Sequence, residues 1–170
     1  MELIIEDINK THDINNFNCG LDSVNDFLKN EALKNHSDLL SKTYIARRNS
    51  SNNVIAYCTI CPHILKKSES EFIINRKYRW NTPAILLAQL GVDVNNKGEN
   101  LGQKLIGYLF FDVAIPVVKY IHYAAIVVDA ENESLISYYQ KSGFKRFKED
   151  GLRLYIPMSA ILNTYFKKHK

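Results

Sequence analysis

The densest apolar stretch of the chain, Ala84 to Val94, admits almost no polar position, so it is predicted as a strand buried on both faces. It runs into Asn95-Asn96-Lys97-Gly98-Glu99-Asn100-Leu101-Gly102, a turn-rich passage, and the apolar pattern then resumes at helical spacing through Leu101, Leu105, Ile106, Leu109 and Phe110. Ile126 to Ala130 repeats the theme as a second buried strand. Glu131-Asn132-Glu133-Ser134 then opens a helix, capped by Asn132 or Ser134, that ends at Gly143. Around this centre, Leu3 to Glu6 reads as a first strand. A helix capped by Asp22 or Ser23 aligns Val24, Phe27, Leu28 and Ala32 on one face. Thr43–Arg48 and Val54–Cys61 form a hairpin about Asn49–Asn53. Pro62 to Asn81 reads as an irregular charged excursion that serves as part of a substrate mouth. The helix from about Asn100 to about Ala114 is kinked or restarted at Pro116. A final hairpin, Phe144–Phe147 with Leu152–Ile156 about Glu149-Asp150-Gly151, precedes a terminal helix over Ser159–Phe166. Strands and helices in this order predict an α/β chain with a mixed sheet (α+β), and 170 residues suit a single domain, 1–170.

Composition changes this picture little: 46% hydrophobic and 24% charged residues are ordinary for a globular protein. No apolar run is read as long enough to span a membrane, and the first seven residues lack the pattern of a signal peptide, so a cytoplasmic location is expected. Three cysteines, Cys19, Cys58 and Cys61, are then expected as reduced thiols. Cys58 and Cys61 have metal-like spacing but no second ligand pair, so no metal is expected. The net charge of +4 is modest, yet it is concentrated in Arg76-Lys77-Tyr78-Arg79-Trp80, Lys145-Arg146-Phe147-Lys148 and Lys167-Lys168-His169-Lys170. Aromatics interleaved with cations stack on bases or cover a core, and solvated charge explains the same clusters.

Strand, glycine-bearing loop and helix together form a candidate phosphate cradle, in which Gly98 and Gly102 leave backbone N–H groups bare at the positive end of a helix dipole; an ordinary strand-to-helix turn has the same pattern.

Two blocks carry a resemblance to the GNAT superfamily of N-acetyltransferases. Lys97-Gly98-Glu99-Asn100-Leu101-Gly102 is similar to that family's acyl-CoA loop, with Lys97 where Arg is usual and Asn100 where the central Gly is usual. Tyr138-Tyr139-Gln140-Lys141-Ser142-Gly143-Phe144 matches its later aromatic-Tyr-x-x-x-Gly-Phe block. Phe17-Asn18-Cys19-Gly20 leading to Phe27-Leu28, and Pro83-Ala84-Ile85-Leu86-Leu87, resemble the subgroup containing tRNA-acetylating toxins of toxin–antitoxin modules. The resemblance implies the GNAT acyl-CoA N-acyltransferase fold and acetyl-CoA as acetyl donor. It implies pantetheine pairing along Leu90, Gly91 and Val92, pyrophosphate held by Lys97, Gly98, Glu99, Asn100, Leu101 and Gly102, and a CoA contact at Asn132. Tyr139 becomes the general acid for the leaving thiolate, with Tyr138 in the core; without the resemblance Tyr139 reads as a packing residue. Aminoacyl-tRNA is the implied acceptor, with Arg76, Lys77, Arg79 and Trp80 as its contacts. A small DNA-binding antitoxin is the implied partner, and dimers are common in the family. Among Asp93, Glu69 and Glu71 no general base stands out, which favours an α-amine that is partly neutral near pH 7. Transfer to a small amine or a protein N-terminus, and a non-catalytic CoA-binding module, are the competing expectations.

Overall fold

The computed structural model describes residues 2–148 and 151–168. Among the described residues, seven strands form one mixed sheet in the order β1-β2-β3-β4-β5-β7-β6. By contact density the chain divides into two compact units: Met1–Cys61 with Ala88–Leu105, and Pro62–Leu87 with Ile106–Lys170.

In the first unit, β1 (Leu3–Asp7) pairs antiparallel with β2 (Lys42–Arg48), which pairs antiparallel with β3 (Ala56–Leu65) from Lys42↔Ile60 to Ala46↔Ala56. Helix α1 (Asp22–Phe27), a π-helical turn (Leu28–Ala32) and α2 (Leu33–Ser37) follow one another without a break. Their inward positions Val24, Leu28 and Ala32 join Ile8, Phe17, Ile45, Val54 and Tyr57 in a buried cluster, with Phe27 packed on its margin. Full burial of each large member contributes about 1.5–3 kcal/mol. The expected side-chain cap at Asp22 or Ser23 is not what begins α1. Leu21 occupies the cap position in an extended conformation without a capping side chain, and Asn25 Oδ1 instead accepts from the Cys19 N–H at 2.8 Å.

The second unit departs most from expectation in the stretch read as irregular. Strand β3 continues through Pro62 to Leu65, beyond the β2 register that ends at Ile60, and α3 (Lys67–Ile74) follows. Glu69 Oε2 accepts from the Lys66 N–H at 2.9 Å, which fastens the first turn of α3, and Asn75, left-handed at φ 54°, closes the helix with its N–H on the Glu71 carbonyl. Strand β4 (Thr82–Val92) pairs in parallel with β5 (Ala125–Asp129) from Ile85↔Ile126 to Leu87↔Val128. It is not buried on both faces as its composition suggests. Thr82, Ala84, Leu87 and Gly91 are buried while Pro83 and Ala88 are exposed, so each face of the strand is buried along only part of its length. Strand β5 also pairs antiparallel with β7 (Arg153–Pro157), which carries the two-residue β6 (Lys145–Arg146); the turn residues Glu149 and Asp150 lie outside the described residues.

Helix α4 (Leu101–Tyr108) passes through a π-helical turn (Leu109–Ala114) into α5 (Ile115–Val118), with Pro116 in the first turn of α5. The Ile115 N–H reaches Phe110 O, five residues back, so the wider π turn ends where proline removes a donor. Leu101–Val118, 18 residues of mean hydropathy 1.4, does reach the length and apolarity of a membrane span, contrary to expectation, and half of it is buried inside the protein. Helices α6 (Ile136–Lys141) and α7 (Met158–Lys168) complete the chain; His169 and Lys170, counted above in a basic cluster, lie outside the described residues.

Candidate active site

The predicted phosphate loop is built by one carboxylate. Asp93, buried where β4 ends, accepts from the Asn95 N–H at Oδ1 and from the Asn18 N–H at Oδ2, both at 2.9 Å, and so starts the 3-10 turn Val94–Asn96. The Val94 N–H returns a bond to the Asn18 carbonyl at 2.8 Å. Asn18 Oδ1 in turn accepts from the Gly20 N–H at 2.9 Å and from Asn25 Nδ2 at 3.0 Å. The Phe17-Asn18-Cys19-Gly20 phrase is therefore the underside of the loop. Gly20, at φ 89°, makes the turn, and Lys97 Nζ lies 3.9 Å from where a Cβ on Gly20 would stand.

Above this base the backbone reverses through two left-handed residues, Gly98 at φ 90° and Asn100 at φ 56°, before α4 begins at Leu101. Asn adopts that region more readily than other side-chain-bearing residues, which is how it stands in for glycine here. Lys97, Gly98 and Asn100 are exposed, whereas Leu101 and Gly102 are buried. The first N–H groups of a helix have no intrahelical acceptor, so an exposed, twice-reversed approach to α4 suits an anion. Glu99, an anion in this loop, is engaged by Asn96 Nδ2 at 3.1 Å and by the Arg48 guanidinium, which together hold its carboxyl below the ordinary range. Leu90 and Val92 are half-buried beside Gly91, whose Cα faces Tyr57, Val24 and Phe17 so closely that any Cβ would stand within 2.9–3.1 Å of them.

In the second unit, Asn132 is exposed and extended just before a 3-10 turn (Glu133–Leu135); the Ser134 hydroxyl donates to its Oδ1. It occupies the expected cap position without capping the backbone. On α6 the expected roles of the tyrosine pair in packing are exchanged: Tyr139 is the buried member and Tyr138 is half-buried. Positions 136 and 139 share the inward face, and Tyr139 packs edge-on against Phe144 with centroids 5.8 Å apart. Burial, followed by its neighbours Tyr138 and Glu131, pushes the Tyr139 phenol well above its usual value of 10, so it stays protonated. Gly143, at φ 93°, turns the chain back from α6 so that Phe144 meets Tyr139.

The basic clusters divide by environment. Arg76 stacks on Tyr78 and Arg79 on Trp80, at 5.3 and 5.2 Å, and Trp80 is 63% exposed. Arg146, by contrast, bridges Glu133 at 2.7 Å and the Gly151 carbonyl at 2.9 Å. The carboxylates weighed as bases are already occupied: Asp93 by the loop, Glu71 by the Tyr78 N–H at 3.1 Å, and Glu69 by Lys66 and Arg153. Burial alone raises the Glu69 carboxyl, but those two donors hold it below its ordinary value. Arg153, which the sequence does not single out, grips both oxygens of Asp129 at 2.7 Å and Glu69 at 3.0 Å; its partners lie 24 and 84 residues away, so no local pattern marks it. Cys58 is buried in β3, which pushes its thiol up to about 12.

No protein-family model matches the chain. It is similar to the tRNA-acetylating toxin of Mycobacterium tuberculosis (strain ATCC 25618 / H37Rv), 24% identical over 151 residues that cover 89% of each chain. Among solved structures, it superposes on a Tyr→Phe mutant of KacT with a TM-score of 0.88 at 22% identity, covering 96% of this chain and 99% of that one. AtaT complexed with acetyl-methionyl-tRNAfMet follows at 0.85 and 23% identity, covering 96% and 99%. A Tyr→Phe AtaT toxin bound to the C-terminus of its antitoxin AtaR and acetyl-CoA matches at 0.81 and 22%, covering 98% and 99%. The chain thus has the GNAT fold shared with KacT and AtaT.

Proposed function

We propose that residues 1–170 act as one GNAT domain, an acetyl-CoA-dependent N-acetyltransferase that acetylates the α-amine of aminoacyl-tRNA. The observation that carries this reading is the loop from Lys97 to Gly102, exposed at Lys97, Gly98 and Asn100, reversed at Gly98 and Asn100, and preceded by the turn that Asp93 pins. The relatives supply the acceptor: one is a tRNA-acetylating toxin, and another is complexed with an acetylated aminoacyl-tRNA.

In this reading the N–H groups of Lys97, Gly98, Glu99, Asn100, Leu101 and Gly102 hold the pyrophosphate, the backbone of Leu90, Gly91 and Val92 pairs with pantetheine, and Asn132 contacts coenzyme A. The neutral amine attacks the thioester carbonyl carbon, the C–S bond breaks, the thiolate takes the proton of the Tyr139 hydroxyl, the new ammonium loses one to solvent, and the tyrosinate regains one from solvent. A phenol held above its ordinary pKa is a donor at every physiological pH. Arg76, Lys77, Arg79 and Trp80 contact the tRNA, the protein works in the cytoplasm, and a small DNA-binding antitoxin restrains it, as AtaR is bound by AtaT.

The test is thiol release from acetyl-CoA against charged tRNA, uncharged tRNA, polyamines and peptides. Release with charged tRNA alone, and acetyl label on its aminoacyl group, is the expected result. Transfer to polyamines or peptides with none to tRNA overturns the acceptor, and tight acetyl-CoA binding without turnover on any amine overturns the enzyme.

A further inference from the structure

Helix α3 turns an aromatic side chain outward. Phe72 is 53% exposed although its ring packs against Phe147 and Tyr155, with centroids 5.9 and 5.7 Å away. Phe147 and Tyr155 lie closer to each other, 4.5 Å apart and tilted by 38°. These rings back an open cavity of about 500 Å³ lined by Phe72, Gln140, Arg146, Phe147 and Lys148. That volume is within the ~300–1,000 Å³ range of small-ligand sites.

The rim decides the occupant. An apolar peptide needs an apolar border, whereas this one carries two cations and a carboxamide. Arg146 is held by Glu133 and the Gly151 carbonyl and forms a fixed wall, while Lys148 is exposed and adds a second positive charge. The Gln140 amide both donates and accepts, as the edge of a base requires. An aromatic platform, a cation and an amide together suit an unpaired nucleotide, which offers a face to stack, a phosphate and a polar edge; paired bases in a duplex have no free face. Gln140 also follows Tyr139 directly on α6.

We propose that this groove receives an unpaired nucleotide of the tRNA substrate, its base on Phe72 and its phosphate at Lys148. The proposal rests on the aminoacyl-tRNA reading above. Fluorescence anisotropy of the full chain with a labelled single-stranded RNA hexamer and an RNA duplex of the same length tests it. The expected result is preference for the hexamer, weakened roughly five- to a hundredfold by Phe72→Leu, kept by Phe72→Trp, and weakened with a shallower salt dependence by Lys148→Gln. Unchanged acetyl-CoA binding by calorimetry in each variant certifies the fold, and KM for charged tRNA rises while kcat holds. Equal hexamer binding by the native chain and Phe72→Leu, or no hexamer binding at all, overturns the proposal. So does a Phe72→Leu protein that keeps RNA and loses its protein partner, which assigns the groove to a polypeptide. If charged tRNA is not acetylated yet hexamer binding depends on Phe72, the acceptor reading fails and the groove stands.

Discussion

Replacing Gly91 by alanine adds one methyl group where the space is already filled. Its Cβ would stand 2.9 Å from Tyr57 Cε1, 3.0 Å from Val24 Cγ1 and 3.1 Å from Phe17 Cζ. One of the three must give way, and none is free to. Tyr57 is fixed at its far end, where the hydroxyl donates to the Val24 carbonyl at 2.6 Å, and Phe17 stands edge-on to it with centroids 5.5 Å apart. All three belong to one buried cluster, so movement of any is passed to the others. Overpacking of this kind costs about 1–3 kcal/mol. A central value of about 2 kcal/mol lowers Tm by roughly 4–8 °C for a chain of this size. Two other glycines calibrate the effect. A Cβ on Gly107, inside α4, meets nothing within 4 Å, and alanine there gains about 0.5–1 kcal/mol from helix propensity. Gly98 is equally open but sits at φ 90°, so alanine loses about 1–2 kcal/mol through the backbone alone. Chemical denaturation followed by circular dichroism, with Tm alongside, should rank the proteins Gly107→Ala, native, then Gly98→Ala and Gly91→Ala. A Gly91→Ala protein as stable as the native one refutes the packing argument.

Tyr139→Phe keeps the ring packing on Phe144 and removes only the hydroxyl, so acetyl transfer to charged tRNA should fall by about 10²–10⁴-fold with Tm little changed. Because the phenol is raised above 10, the native pH–kcat profile should show no descending limb from it below pH 10; a limb near 8 or 9 that vanishes in the Phe variant contradicts the assignment. Asp93→Ala strips a buried carboxylate from two N–H donors, and should destabilise the protein by about 2–4 kcal/mol and raise KM for acetyl-CoA in steady-state assays. Arg48→Ala releases Glu99 into the loop and should raise that KM several-fold, an effect that high salt masks. Glu6 is held below its ordinary 4.5 by Arg47 and then His12, so its stabilisation is complete above that value and lost as pH falls through the depressed one; Glu6→Gln should flatten the fall of Tm below about pH 4.5.

What the sequence made legible was whatever local periodicity and turn chemistry decide. The β4–loop–α4 passage and the α6 block were readable because apolar runs, Gly98, Asn100 and Gly143 act through their own backbones. Helix α3 was not, because its apolar residues crowd its last turn as Phe72-Ile73-Ile74 and its cap is a Glu69 bond rather than a Ser or Asp. Asp93, which does not stand out as a base in the sequence, is a clasp, and nothing local marks it as one, since its partner Asn18 is 75 residues away. The order of burial within Tyr138-Tyr139 depends on where Phe144 returns after Gly143, a tertiary fact that helical spacing alone does not contain.

The occupied carboxylates have a consequence for the acceptor. Asp93 accepts from backbone N–H groups at both oxygens, Glu69 from the Lys66 N–H and Arg153, and Glu71 from the Tyr78 N–H at Oε1, and Glu69 is made a weaker base by being held below its ordinary pKa. A lysine-like amine, protonated near pH 10.4, would have to be deprotonated by one of them, and the cost of reaching neutrality from pH 7 is more than three pKa units, about 4–5 kcal/mol. An α-amine near 7.7–8.0 needs about 1 kcal/mol for the same step and can lose its proton to water before it binds. Under the proposed function, then, the demand for a base moves from the protein to the substrate. In that reading the groups assigned to the reaction reduce to the Tyr139 hydroxyl as donor to the leaving sulfur and the backbone N–H groups of the loop before α4 on the phosphates.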